Sequence, residues 1–182
     1  DTFDASAAAT LNSGDVISGG GGIDNLFGFD VGGGGTIDGS GPAPTISNVT
    51  NMFVRAVAGA DTIQMDNVTG ITTLFNDQSS AIMAFEDIKS YDPTFAVRGN
   101  GGNNTIFDFD STAGTNTMKL NIRGDNGLVQ VDGVEIFTIT GETYLNKAPS
   151  INNAAADGLR GTAITTINVT SSPADQQLDL GE

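Results

Sequence analysis

Gly19-Gly20-Gly21-Gly22-Ile23-Asp24-Asn25-Leu26-Phe27 fits the nonapeptide G-G-x-G-x-D-x-U-x at every specified position. Each residue type has a physical task at that spacing. Glycines let the backbone turn tightly and aim carbonyl oxygens inward, the aspartate adds a carboxylate, and the apolar residue two positions on plugs a core. Oxygen ligands for a hard cation and the start of a strand are thus encoded together. Asp15 stands nine residues before Asp24, and Ile17 nine before Leu26, so Gly14-Asp15-Val16-Ile17 repeats the second half of the motif in register. The competing reading is a flexible linker, because twelve glycines fall between Gly14 and Gly41.

Working outward, the whole chain has 182 residues, enough for one ordinary domain or a short stack of repeats, and its 38% hydrophobic content can bury a core. Cysteine and histidine are absent, which removes disulfides, thiolate metal sites, the usual zinc ligand and the usual general base. Site chemistry must therefore use oxygen. The net charge is −15, from 22 acidic and 7 basic residues. That excess repels nucleic acid and anionic membranes and attracts cations; about seven divalent ions would neutralise it. No apolar run reaches transmembrane length and no basic-then-apolar leader opens the chain at Asp1-Thr2-Phe3-Asp4. The expectation is a soluble segment of a longer chain, without membrane insertion, whose composition is typical of large bacterial extracellular proteins.

Downstream, an apolar residue followed by x-[Asn/Asp] or a near variant and a β-branched residue recurs: Ile46-Ser47-Asn48-Val49, Met65-Asp66-Asn67-Val68, Phe85-Glu86-Asp87-Ile88 and Val131-Asp132-Gly133-Val134. The steps from Val49 to Val68 and from Val68 to Ile88 are nearly equal, and the interval from Ile88 to Val134 is more than twice as long, so it requires two longer coils. Such steps suit a solenoid of short strands joined by polar corners. β-prone runs surround these anchors, among them Met52-Phe53-Val54, Thr72-Thr73-Leu74-Phe75, Phe95-Ala96-Val97, Thr105-Ile106-Phe107 and Glu135-Ile136-Phe137-Thr138-Ile139. Met118, Leu120 and Ile122 alternate strictly, as in a half-buried strand. Two short helical candidates stand against this, Ala5 to Leu11 and Asp77 to Phe85. Glycine and proline place boundaries that divide the chain into a Gly/Asp-rich calcium-binding segment (1–44), solenoid coils (45–147) and a terminal β segment (148–182) that continues the array.

Further ligand candidates follow from local pattern. Ala60-Asp61-Thr62-Ile63 repeats the small-Asp-x-apolar order of Gly14 to Ile17, so Asp61 is either a calcium ligand or a turn residue. Asp108-Phe109-Asp110 puts two carboxylates on one side of a strand, open to calcium binding, acid–base catalysis or a solvated face. Arg98 and Arg123 read as a charge clamp for a uronate or, more simply, as partners of the surplus acids. Asn48, Asn67, Asn103 and Asn168 occur in N-x-Thr sequons, but in repeats of this kind Asn is more simply a corner residue capping its turn, stacked on the next coil.

The nonapeptide entry followed by T-I-S-N-V-like and D-N-V-T-G-I-T-T-L-like coils resembles the crystallisation regions of bacterial surface-layer proteins with RTX-type repeats, and also giant calcium-dependent RTX adhesins. The resemblance runs from about Asp1 to Ile139 and is strongest from Gly14 to Leu74. It implies calcium ions at solenoid corners, type I secretion and lateral assembly into a sheet at the cell surface. By motif position it makes Asp15 and Asp24 carboxylate ligands and Gly20 and Gly22 carbonyl donors, with Asp30 and Asp38 as extrapolations. The nonapeptide spacing breaks after Phe27, since neither Asp30 nor Asp38 is nine residues from Asp24 or from the other, which excludes a long regular calcium roll.

The combined expectation is an all-β, right-handed parallel β-solenoid, β-roll-like, holding Ca2+ at its corners, extracellular and non-catalytic. Its function would be calcium-dependent self-assembly into a lattice, with surface glycan or lipopolysaccharide as a further partner. The alternatives are a calcium-dependent adhesin or matrix domain for glycans or cells, which an exposed aromatic patch would favour, and a carbohydrate-active solenoid enzyme, which would need a cleft with convergent carboxylates or an Asp–Arg pair.

Overall fold

The computed structural model describes residues 1–7, 10–29, 43–99, 101, 103–110, 114–123, 127–140, 150–152, 158–161 and 163–169. These form short strands joined by turns, and every strand pairing among them is parallel. The largest sheet stacks β1 (Thr2–Ala5), β3 (Asn25–Phe29), β5 (Asn51–Arg55), β8 (Thr73–Asp77), β10 (Thr94–Arg98), β12 (Thr117–Arg123), β14 (Ile136–Thr140) and β17 (Thr166–Val169) in that order. A six-stranded sheet holds β6 (Asp61–Gln64), β9 (Met83–Ile88), β11 (Thr105–Phe109), β13 (Val129–Val131), β16 (Gly158–Gly161) and β15 (Ser150–Asn152). A small third sheet holds β2 (Val16–Ser18), β4 (Thr45–Ser47) and β7 (Val68–Thr69). The chain is therefore a parallel β-solenoid.

Period-two alternation makes the coils stack. In the large sheet Phe3, Leu26, Met52, Leu74, Phe95, Leu120 and Ile139 pair along one register line, and all but Phe3 are buried. In the facing sheet Ile63, Phe85, Phe107 and Val131 do the same. Phe85 and Phe107 stack at 5.3 Å, and Phe95 meets Phe107 edge-on at 5.2 Å, closing the core between the two sheets. Each fully buried Phe contributes about 1.5–3 kcal/mol by leaving water. Ile17, Ile46 and Val68 form the inner line of the third sheet. The first two coils have no described strand in the six-stranded sheet; there Leu11, outside any strand, is fully buried in the core.

Several expectations change. Where near-equal steps were expected, from Met52 to Leu74 to Phe95, they are nearly equal along the register line, but elsewhere coil length is uneven: the step from Ile139 to Val169 is the longest, and that from Leu120 to Ile139 the shortest. Val68 pairs with Ile46 instead of answering Val49. The two-coil interval does hold: Phe85, Phe107 and Val131 are in register, one coil apart at each step, and Phe85 and Val131 open the same anchors that Ile88 and Val134 close. The helical candidate from Asp77 to Phe85 is the end of β8, a turn and the start of β9, while Ala5 to Leu11 has no helix among its described residues. Single-turn helices lose to strand pairing because one turn leaves most of its backbone groups unpaired.

Candidate functional site

The glycine run forms the corner between β2 and β3. Gly20 (φ 77°) and Gly22 (φ 116°) occupy the left-handed region, where a side chain would be strained. Asp24 ends this corner and is almost fully buried, sharing inward parity with Leu26. The Asp1 nitrogen donates to Asp24 Oδ1 at 2.7 Å. The Asp24 backbone N–H donates to Thr50 Oγ1 (3.1 Å), whose hydroxyl donates to the Gly22 carbonyl (3.1 Å). Asp24 Oδ2 has no hydrogen-bond partner among the described residues. A Cβ on Gly19 would stand 2.9 Å from this oxygen and 2.1 Å from the Asn48 carbonyl oxygen, so glycine alone fits beside them. A buried, unsatisfied carboxylate oxygen is costly, and a cation is one remedy.

Backbone bonds from Asn25 to Asp1, Asn51 to Asp24 and Thr73 to Thr50 put Asp1, Asp24, Thr50 and Thr72 at one corner of successive coils. Along this corner threonine follows Asp24 on the next two coils. Calcium takes six to eight oxygens, and among the described residues no three acidic groups are arranged to hold a metal ion. Asp24 thus stands at a corner, with one oxygen open to a cation, while described carboxylates do not provide the rest of a full shell.

The other candidates are dispersed. Asp15 lies at the opposite end of β2, and its Oδ2 accepts from the Asn12 backbone N–H (2.8 Å), capping its own turn. Asp61 is fully buried at the first position of β6 and pairs in register with Met83, Thr105 and Val129 on the inner line of its sheet. Asp108 and Asp110 sit on the outer face of the six-stranded sheet, because Phe107 and Phe109 take the inward positions. Asp30 and Asp38 lie outside the described residues.

Around Asp108 and Asp110 gather acids the sequence did not single out. Glu86 accepts from Gln64 Nε2 (2.8 Å), Asp87 occupies a bulge at φ 57°, and Asp132 follows Val131, the register partner of Phe107. Desolvation first, then the negative charges of Asp132, Asp87 and Asp110, hold the Asp108 carboxyl above its usual pKa. Lys89 pairs with Asp110 (3.7 Å) and Asp66 (3.4 Å). The signal was present: the repeated Phe85-Glu86-Asp87-Ile88 and Val131-Asp132-Gly133-Val134 phase their acids onto one face.

The large sheet turns a different face outward. Phe27, Phe53 and Phe75, each half-buried, stack as a ladder with ring centroids 4.8 and 4.4 Å apart. The Arg98 guanidinium lies 5.5 and 5.4 Å from the Phe53 and Phe75 centroids. Arg98 Nε donates to Asp77 Oδ1 at 2.7 Å, which raises the Arg98 pKa, and Arg55 Nε donates to the Asp77 carbonyl at 2.7 Å. Lys119 and Arg123 stand exposed on the same face in β12. An Asp–Arg pair exists, then, but on a broad sheet face. The described apolar notch, about 240 Å³ between the β7 corner and the turn after β9, has Asp92 as its one carboxylate.

No family model, curated protein or solved structure matches the chain.

Proposed function

We propose that this chain is a structural, non-catalytic segment of an extracellular bacterial protein, a β-solenoid that closes around Ca2+ at the Asp24 corner and self-assembles into a surface layer. One observation carries the calcium reading: Asp24 Oδ2, buried against Gly19 and without a hydrogen-bond partner among the described residues. Calcium would supply folding free energy there and would lower the repulsion of a chain at −15. Right-handed winding belongs to this reading, since parallel β crossovers take that hand in about 98% of cases. So does export to the cell surface, with surface glycan or lipopolysaccharide as an anchoring partner.

The test is a calcium titration of the chelated protein, followed by circular dichroism and light scattering and repeated with Asp24→Asn. Gain of β-signal and size in the wild type, weakened in the variant, is the expected result; a fold and size indifferent to calcium would sink the reading. A second reading, a glycan-binding adhesin, draws on the Phe27–Phe53–Phe75 ladder and its arginines, since aromatic rings and guanidinium groups suit sugar rings and acidic sugars.

A further inference from the structure

We propose that copies of this chain stack through opposite charge on their two broad faces, the Arg/Lys and phenylalanine face of the eight-stranded sheet lying on the acidic face of the six-stranded sheet of the next copy. The proposal rests on the self-assembly reading above and names its interface.

Charge is segregated in a way composition does not require. The chain has 7 basic residues against 22 acidic ones, yet Arg55, Arg98, Lys119 and Arg123 all occupy the outer face of one sheet. Asp77 lies among them, only 7% exposed because Arg98 and Arg55 cover it, so positive charge is what this part of the face presents. The outer face of the other sheet carries Glu86, Asp87, Asp108, Asp110 and Asp132, with Lys89 at its border. The two sheets enclose one core, as the Phe95–Phe107 and Phe95–Phe109 contacts show, so their outer faces point away from that core on different sides.

Pitch adds the second argument. Arg98 and Arg123 are register partners on consecutive coils, and Asp108 and Asp132 each stand one position beyond the register partners Phe107 and Val131. Both charge ladders therefore repeat at the strand spacing of about 4.8 Å. Two copies in parallel match rung for rung because both ladders are built by the same coils. The half-buried Phe ladder adds apolar area beside the charges. The acids that crowd Asp108 would gain a neighbour's cations in exchange for their mutual repulsion. Contact between two different faces is heterologous, and without a closing rotation it propagates as an open array.

The experiment uses the full chain in chelator at low salt, with mass followed by analytical ultracentrifugation and fold by circular dichroism. One variant, Lys119→Glu with Arg123→Glu, reverses the basic face; the other, Asp108→Lys with Asp132→Lys, reverses the acidic face. The wild type should associate at about 0.1 M salt or below and dissociate near 1 M, where the screening length drops to about 3 Å. Each variant alone, folded, should associate about a hundredfold more weakly, since like charges face each other. An equimolar mixture of the two should co-assemble, because every junction between unlike copies is again complementary.

Folded variants that assemble like the wild type, a mixture that does not co-assemble, or a wild type that stays monomeric would each overturn the proposal. So would a monomeric wild type that binds alginate through Lys119 and Arg123, which assigns the face to acidic glycan. Assembly that needs calcium and ignores both reversals would reject this interface while leaving the Asp24 reading standing. Face-dependent assembly that ignores calcium and Asp24→Asn would do the opposite.

Discussion

Replacing Asn76 by alanine tests how the two sheets are tied together. Asn76 lies on an inner line whose other members are Ala5, Gly28, Val54, Val97 and Ile122, and it is fully buried. Its Nδ2 donates to Thr105 Oγ1 of the facing sheet at 2.7 Å. Its Oδ1 accepts from the Ser79 hydroxyl, whose oxygen accepts from the Ala56 backbone N–H at 3.0 Å. Asn76→Ala removes two core hydrogen bonds, about 1 kcal/mol each, and leaves a small cavity worth about 1 kcal/mol more. The expected loss is about 3 kcal/mol. Asn51→Ala is the control, because its Nδ2 donates to Asn25 Oδ1 at 3.0 Å on the outer face, where a bond of this kind contributes about 0.5 kcal/mol. With a urea dependence of about 2 kcal/mol/M, the midpoint should drop about 1.5 M for Asn76→Ala and about 0.25 M for Asn51→Ala. Equal shifts for the two would refute the claim that the buried Asn76 network ties one sheet to the other.

Gly19→Ala should lower the melting temperature sharply, since its Cβ would lie 2.1 Å from the Asn48 carbonyl oxygen, whereas Gly21→Ala, with open space around it, should melt like the wild type. Phe53→Ala breaks both contacts of the outer aromatic ladder and should cost about 2–3 kcal/mol in chemical denaturation, more than Phe27→Ala, which breaks one of them. The raised pKa of Asp108 means that its contribution to stability is present below its unfolded pKa and lost as pH rises through the folded one. Asp108→Asn should therefore melt above the wild type near pH 7, with the difference shrinking toward about pH 4; a difference that is constant across this range would contradict the assignment.

The inner faces were legible because alternation at period two is a local signal: Met118, Leu120 and Ile122 point inward as their spacing implies. Asp108 and Asp110 point outward by the same rule. That rule also explains Asp61, which resembles Asp15 in sequence but shares a strand and a parity with Ile63, and so points into the core from the start of β6. Coil length was less legible: the recurring pattern marks positive-φ corners at Asn48, Asp87 and Gly133, but Gln78 takes a positive φ that no repeat of residue types announces. The outer Phe ladder escaped because aromatic residues read as core. Its trace lies in the pairs Leu26-Phe27, Met52-Phe53 and Leu74-Phe75, where the first member already fills the inward position. The convergence of Asp87 and Asp132 beside Asp108 needed the stacking of distant coils, which no local pattern gives.

The unequal coil steps, longest from Ile139 to Val169 and shortest from Leu120 to Ile139 along one register line, have a consequence for folding fidelity. In an array of identical repeats a strand can settle one rung too high or too low and lose little, because every rung offers the same partner. Here a misplaced rung would stretch one corner and slacken the next, and would leave an aromatic facing a gap sized for something smaller. Irregular length acts as an address for each coil, so the stack assembles in one order and gives the next molecule a surface that is the same every time.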